Sequence, residues 1–330
     1  MMDRKKAYWK DKNVFVTGAT GFVGSWLTKA LVENGASVVC LIRDVVPRSF
    51  LFSTGTINKV NIVYGCLEDY MTVERILNEY EIDTCFHLAA QSIVGVANRS
   101  PISTFKSNIM GTWNILEACR HSKSIRRVVI ASSDKAYGTH NQLPYKEDYK
   151  LLGLHPYDVS KSCADILSQT YYHAYKLPVG ISRCANIYGG GDLNFNRIIP
   201  ETIRSVINDK NPIIRSDGTY IRDYLYIQDA VESYLTLAKH LKDPSISGQA
   251  FNFGSEKPIS VLDLVNKIID ISGKTNLKPE ILNIAKGEIE RQYLSCGKAR
   301  ELLGWKASIT LEEGLERTYL WFKNFLIDRI

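Results

Sequence analysis

Tyr157 and Lys161 stand four residues apart in Tyr157-Asp158-Val159-Ser160-Lys161, a Y-x-x-x-K on a stretch of helical pattern. Residues four apart on a helix share a face, so the Lys161 ammonium can lie near the Tyr157 ring. A nearby cation favours the phenolate and lowers a tyrosine pKa towards working pH. Such a tyrosine can take the proton of a hydroxyl while hydride leaves the same carbon. Ser133, in the run Ala131-Ser132-Ser133-Asp134-Lys135-Ala136-Tyr137-Gly138, would share a hydrogen bond with that oxygen. Asp134 and Lys135 follow it directly; their other reading is a turn carrying two solvated charges.

A hydride acceptor would need its own site. Thr17-Gly18-Ala19-Thr20-Gly21-Phe22-Val23-Gly24 spaces its glycines G-x-x-G-x-x-G between a predicted strand and a predicted helix. Glycine permits the tight turn and close backbone approach to a pyrophosphate, and the helix N-terminus offers free N–H groups and a favourable dipole. Gly18, Thr20, Gly21, Phe22, Val23 and Gly24 are therefore candidate dinucleotide contacts. At the end of the second strand, where NAD enzymes carry an acid for the adenosine ribose, Ile42 is followed by Arg43 and Asp44. Arg43 can meet a 2′-phosphate and Asp44 an unphosphorylated ribose, so NADP and NAD both stay open, with a slight lean to NADP.

These residues must be positioned by an alternating chain. Short apolar runs rich in Val and Ile (Asn13–Thr17, Ser37–Arg43, Asn61–Tyr64, Thr84–Leu88, Arg127–Ser132, Val179–Arg183) read as strands covered on both faces. Helical patterns lie between them at Phe22–Asn34, Met71–Tyr80, Thr104–His121 and Tyr157–Tyr175. The β-α-β-α order predicts an α/β Rossmann-type, doubly wound parallel sheet. After Tyr188 the rhythm breaks into helices (Arg197–Asn208, Ile227–Leu241, Val261–Ser272, Thr310–Phe325) with short strands and loops. The expected division is a Rossmann domain over residues 1–188 and a smaller mixed α/β C-terminal substrate lobe over 189–330, with some segments of the latter returning to the sheet.

Composition narrows the function class. The chain has 330 residues, 45% of them hydrophobic and 23% charged, as in an ordinary globular protein. The net charge of +6 is spread along the chain, which argues for no nucleic-acid partner. No apolar run is long enough to span a membrane, and Asp3-Arg4-Lys5-Lys6 precedes the first strand with no room for a signal core. The seven cysteines lie far apart without a C-x-x-C pair and read as buried thiols, giving no metal site and an expectation of a cytoplasmic protein.

Further segments complete the pattern: His87-Leu88-Ala89-Ala90-Gln91, Asn108-Ile109-Met110-Gly111-Thr112, Arg183-Cys184-Ala185-Asn186-Ile187-Tyr188-Gly189, Arg222-Asp223-Tyr224, and Lys298-Ala299-Arg300-Glu301-Leu302-Leu303-Gly304-Trp305. Together with the glycine loop, Ser133 and the Tyr157–Lys161 pair, they make the chain resemble, over nearly its whole length, the extended short-chain dehydrogenase/reductases of the sugar-nucleotide epimerase and dehydratase group. The resemblance implies a catalytic set of Ser133, Asp134, Lys135, Tyr157 and Lys161. It implies NADP or NAD held tightly and recycled within each turnover, with Leu67, Leu88, Ala89, Ala90, Asn108, Tyr157 and Lys161 joining the glycine loop, Arg43 and Asp44. It implies a nucleotide-sugar substrate met by Gln91, Ser92, Asn186, Arg197, Arg222 and Arg291. In this group a homodimer commonly forms through the helices corresponding to Thr104–His121 and Tyr157–Tyr175.

Within the group, Asp134 discriminates. The 4,6-dehydratases carry Asp after the catalytic Ser or Thr, as general acid for the departing hydroxyl, where epimerases have a small residue. Oxidation at carbon 4 acidifies the carbon 5 proton, water leaves across carbons 5 and 6, and hydride returns to carbon 6. Lys135 departs from the Glu of most such enzymes; Ser-Asp-Lys is the pattern of CDP-glucose 4,6-dehydratases. Lys135 is then either the base at carbon 5 or a residue that orients the sugar. Gly65-Cys66 lacks the acid that commonly grips the adenine, and Leu294-Ser295-Cys296 lacks a family Asp. The rival readings are a 4-epimerase and, further off, a non-catalytic cofactor sensor.

Overall fold

The strands alternate inward residues between two cores, and that alternation builds the sheet. In the computed structural model, which describes residues 8–285 and 288–327, these are β1 (Asn13–Thr17), β2 (Ser37–Ile42), β3 (Asn61–Tyr64), β4 (Thr84–His87), β5 (Arg127–Ala131) and β6 (Val179–Cys184). Val14, Val16, Val38, Cys40, Ile42, Phe86 and Val129 join one hydrophobic cluster, while Phe15, Val39, Leu41, Cys85, Val128 and Ile130 join the other. Successive side chains of a strand point to opposite faces, so each strand feeds both cores and shows no polar side.

The shorter strands β7 (Asn186–Tyr188), β8 (Ile213–Ile214), β9 (Ile221–Arg222) and β10 (Tyr224–Tyr226) follow, then β11 (Ala250–Phe253), β12 (Ile259–Ser260), β13 (Glu280–Ile281) and β14 (Arg291–Gln292). The main sheet runs β11-β6-β5-β4-β1-β2-β3 with every pairing parallel. Strand order reverses at β1, between β2 and β4, which opens a crevice beyond the carboxyl ends of β1 and β4. The doubly wound sheet is thus as expected, with one addition: β11 was not foreseen. Its four residues, Ala-Phe-Asn-Phe, are too few to show a period.

Helices cover both faces: α1 (Phe22–Glu33), α2 (Tyr70–Glu79), α3 (Gly111–His121), α4 (Pro156–Tyr175), α5 (Ile198–Ile207), α6 (Ile227–His240), α7 (Val261–Ser272) and α8 (Leu311–Ile327). Leu27 and Leu31 of α1 and Leu235 and Leu237 of α6 pack in the first core; Val73 and Ile76 of α2 and Ile115 and Leu116 of α3 pack in the second. The expected single helix Thr104–His121 is instead an α-turn (Pro101–Phe105), a π-helical turn (Lys106–Met110) and α3. The π turn carries Asn108, buried at the helix–loop junction described below. A third, smaller core joins Val206 of α5 to Val265 and Ile269 of α7.

A buried polar network locks the sheet to the segment after β5. Arg183 of β6 donates from Nε and Nη2 to the two oxygens of Asp165 on α4, at 2.8 and 2.9 Å. Its Nη1 donates to the Tyr137 hydroxyl at 2.7 Å, which in turn donates to Asn252 Oδ1 on β11 at 2.7 Å. Removing one partner of a buried pair strands the other charge. Asp165→Ala is therefore expected to lower unfolding free energy by about 3–5 kcal/mol, read as a lower urea midpoint at unchanged slope.

Candidate active site

The glycine loop is shaped by close approach. Gly18 has φ +76°, and a Cβ there would lie 2.7 Å from the Ala89 nitrogen. A Cβ on Gly24 would lie 2.1 Å from the Gly18 carbonyl oxygen, so α1 starts against the turn itself. Gly21 donates its N–H to Gly18 O at 2.9 Å, and the first helical bond is Ser25 N to Gly21 O at 3.0 Å. The N–H groups of Phe22, Val23 and Gly24 are thereby left without helical acceptors, at the positive end of the helix. This donor set beside a turn that no side chain can fill fits a pyrophosphate. Thr20 lies in the same turn.

Beside the loop, the ends of β1 and β4 are tied by a short polar chain. Thr17 Oγ1 lies 2.8 Å from His87 Nδ1, and His87 Nε2 lies 3.0 Å from Thr112 Oγ1. Burial pushes the His87 pKa down to about 3, so the ring is neutral and bridges two hydroxyls. Leu88, Ala89 and Ala90 continue from there, Ala89 donating its N–H to Thr17 Oγ1 at 3.2 Å. Asn108 accepts from the Gln91 N–H at 2.7 Å and donates to the Gln91 carbonyl and to Ser160 Oγ at 3.2 and 2.9 Å. Its amide is committed to holding the β4 loop against α4. Leu67 is buried on Gly111, and its carbonyl accepts from Asn114 Nδ2 at 2.8 Å. Arg43 and Asp44 form an exposed ion pair of 2.7 Å at the end of β2.

The chemical residues converge past the end of β5. Ser133 caps a 3₁₀ turn, Asp134–Tyr137; its Oγ accepts from the Lys135 N–H at 3.2 Å and donates to Asp134 Oδ1 at 3.0 Å. Asp134 is buried, and its Oδ2 has no hydrogen-bond partner among the described residues. Burial raises its pKa, opposed by the Lys135 charge and the Ser133 bond. Lys135 donates from Nζ to Gln292 Oε1 at 2.6 Å. Burial lowers the Lys135 pKa, against the pull of Asp134. The two neighbours are thus both driven towards their neutral forms.

The expectation that Lys161 lowers the Tyr157 pKa is not met. Burial pushes the phenol up to about 12; a hydrogen bond with Ser133 opposes this, and Asp134 and Asp158 add to it. Lys161, its own pKa pushed down to about 8 by burial, donates to the Ala131 carbonyl at 2.6 Å. The ammonium spends its hydrogen bond on the end of β5, and desolvation of the phenolate dominates.

On the far wall, Arg222 is buried on β9, donating to the Ile221 and Glu290 carbonyls at 3.0 Å each, with Glu288 at 3.7 Å. Its charge reaches Asp134 and Lys135. Arg197 donates to Asp192 Oδ2 and to the Ile187 carbonyl, both at 2.7 Å, and its charge acts on Tyr157. Asn186 Nδ2 donates to the Asp223 carbonyl at 3.3 Å. Gln91 is half-buried, its Oε1 accepting from the Ile93 N–H at 3.1 Å, and Ser92 is exposed. Arg291 is exposed; it precedes buried Gln292 on β14, so the two side chains point to opposite faces. Gln292 is the residue that sequence reasoning missed, because a lone buried glutamine next to an arginine carries no spacing signal. Gly24→Ala is expected to abolish dinucleotide binding in a folded protein, measured by calorimetric titration alongside circular dichroism.

Comparison with known proteins agrees with this arrangement. Residues 15–318 match the family model described as GDP-mannose 4,6 dehydratase. The CDP-glucose 4,6-dehydratase of Salmonella typhimurium is 31% identical, over 97% of this chain and 93% of its own length. A putative UDP-glucose 4-epimerase of Methanocaldococcus jannaschii is 32% identical, over 94% of this chain and 98% of its own. The crystal structure of UDP-glucuronic acid 4-epimerase from Bacillus cereus, in complex with UDP-glucuronic acid and NAD, superposes with a TM-score of 0.84 at 27% identity, covering 95% of this chain and 99% of that one. With its glycine loop at the switch point and Ser133, Tyr157 and Lys161 past the end of β5, the chain belongs to the GDP-mannose 4,6 dehydratase family of sugar-nucleotide dehydratases and epimerases.

Proposed function

We propose that the protein is an NAD(P)-dependent nucleotide-sugar 4,6-dehydratase, a lyase acting on a CDP-glucose-like NDP-hexose to give the 4-keto-6-deoxy sugar. The observation that carries the reading is buried Asp134 with half-buried Lys135 beside Ser133 and Tyr157, Asp134 Oδ2 having no partner among the described residues. A 4-epimerase has no work for a protonated carboxyl there; an elimination does. The Salmonella relative points the same way.

The dinucleotide, when bound, supplies reversible hydride acceptance and a cationic ring whose charge favours the Tyr157 phenolate. Gly18, Gly21, Gly24 and the N-terminal amides of α1 would hold its pyrophosphate. Arg43 suits a 2′-phosphate and Asp44 a 2′-hydroxyl, so the site accommodates either NADP or NAD. Tyr157 takes the proton of the sugar's 4-hydroxyl, with Ser133 bonded to the same oxygen. Lys135, as the neutral amine, takes the carbon 5 proton, and the C–H electron pair becomes the C5=C6 double bond. The C6–O bond breaks as Asp134 gives its proton to the departing oxygen, which leaves as water. The pair passes from acid and amine to carboxylate and ammonium, so its net charge stays at zero in a buried site. Arg197, Arg222 and Asn186 are assigned to the diphosphate and sugar side, Gln91 and Ser92 to the hexose. Arg291, being exposed, is assigned to the outer end of the nucleotide. The cofactor part is then largely 1–188, and the substrate lobe is drawn from 189–330.

Similarity to epimerases makes 4-epimerisation the second reading. Turnover of CDP-glucose and other nucleotide hexoses in heavy water, with NAD and NADP each supplied, separates the two. A product lighter by one water and carrying deuterium is expected; unchanged mass with an inverted carbon 4 would establish the epimerase. Asp134→Asn is expected to cut dehydration by about a hundredfold or more while carbon 4 oxidation persists as absorbance of reduced cofactor.

We also infer a homodimer. Ile102, Phe105, Met110 and Trp113 on the run ending in α3, and Ile166 and Tyr175 on α4, are exposed apolar side chains on the two helical segments expected to pair. Trp113→Glu is expected to halve the mass seen by light scattering at micromolar concentration. Among the described residues, no helix is long and apolar enough to cross a membrane.

A further inference from the structure

Lys135 and Gln292 lie 157 residues apart in sequence, yet the lysine Nζ donates to the glutamine Oε1 at 2.6 Å. Gln292 is fully buried. It is also fixed in place from both sides. On β14 it pairs in parallel register with Arg222 of β9. Immediately after it, Tyr145 donates its N–H to the Tyr293 carbonyl and accepts from the Ser295 N–H, each at 2.9 Å. The main chain that carries the amide is thus anchored opposite the lysine.

Stability alone does not account for this residue. Gln292 Nε2 is buried and has no hydrogen-bond partner among the described residues, so half of the amide's capacity is unmet there. A buried unmet donor costs free energy, and an aliphatic side chain of the same size would fill the space without that cost. The amide is therefore retained for what its other end does.

We propose that Gln292 is a positioning residue for Lys135, whose neutral amide oxygen holds the lysine nitrogen in place without fixing its charge, so that Lys135 can take up and release a proton during the reaction. This rests on the dehydratase reading, in which Lys135 takes the carbon 5 proton. The charged groups facing Lys135 are Asp134 on its own turn, Asp158 on α4, Glu288 before β14, and Arg222 on β9. Three carboxyl groups already favour the ammonium, while burial and the Arg222 guanidinium oppose them. A further carboxylate at 2.6 Å would pin the proton. An amide accepts one N–H from either the amine or the ammonium and leaves the nitrogen lone pair to face elsewhere.

The experiment compares wild type with Gln292→Glu and Gln292→Met. Two readouts are taken on the purified protein across pH: the rate of Lys135 acetylation by acetic anhydride, followed by peptide mass spectrometry, and kcat and KM for CDP-glucose. Gln292→Glu is expected to raise the lysine titration, and with it the acid limb of kcat, by about one pH unit or more. Gln292→Met keeps the volume and loses the acceptor; it is expected to lower kcat about tenfold with KM little changed. A lysine titration unmoved by Gln292→Glu, or a Gln292→Met variant that raises KM alone, would overturn the proposal. If wild type gave no 4-keto-6-deoxy product while Gln292→Glu still moved the titration, the dehydratase reading would fall and the control of Lys135 by Gln292 would stand.

Discussion

A parallel sheet buried on both faces has only its strand ends to offer a ligand, and this constraint governs the whole molecule. Every buried apolar residue of β1, β2, β4 and β5 is claimed by one of two apolar cores. Reactive side chains are therefore displaced to the segments just past the carboxyl ends: the glycine loop after β1, Leu88–Gln91 after β4, and Ser133–Lys135 after β5. The reversal of strand order at β1 opens the crevice into which these segments face. The small three-stranded sheet of β12, β9 and β14 then brings Arg222 and Gln292 to the opposite wall.

Those strand ends are held by polar bonds rather than by packing alone. Thr17, His87 and Thr112 join the termini of β1 and β4 to α3, while Asn108 ties the β4 loop to α4 through Ser160. The network of Arg183, Asp165, Tyr137 and Asn252 fixes the end of the Asp134–Tyr137 turn against β6 and β11. Each is buried, and in low dielectric a satisfied network is rigid while a broken one is costly. The Asp134–Tyr137 turn thus inherits its geometry from buried groups on other elements.

Burial is also the dominant electrostatic fact of the site. It raises Asp134 and Tyr157 and lowers Lys135 and Lys161, in each case ahead of any neighbouring charge. For the Asp134–Lys135 pair the two shifts are complementary, each pushing its group towards the uncharged form. For Tyr157 the same physics works against the phenolate, and the charge on Lys161 does not offset it.

Much of this was legible in the chain itself. Val- and Ile-rich runs without a polar face required a doubly covered parallel sheet, and glycine spacing before an apolar helix located the tight turn that opens α1, because both depend on local stereochemistry and period. The Y-x-x-x-K spacing put Tyr157 and Lys161 on one helix for the same reason. Tertiary structure alone decided what depends on contacts between distant segments. It added β11, whose four residues carry no period, and turned Lys161 to the Ala131 carbonyl instead of leaving it to the tyrosine. It faced Arg291 outward and put Gln292 on Lys135 across 157 residues. Spacing along one helix or strand is set by covalent geometry, whereas the dielectric around a group, and the partner it finds there, exist only once the chain has packed.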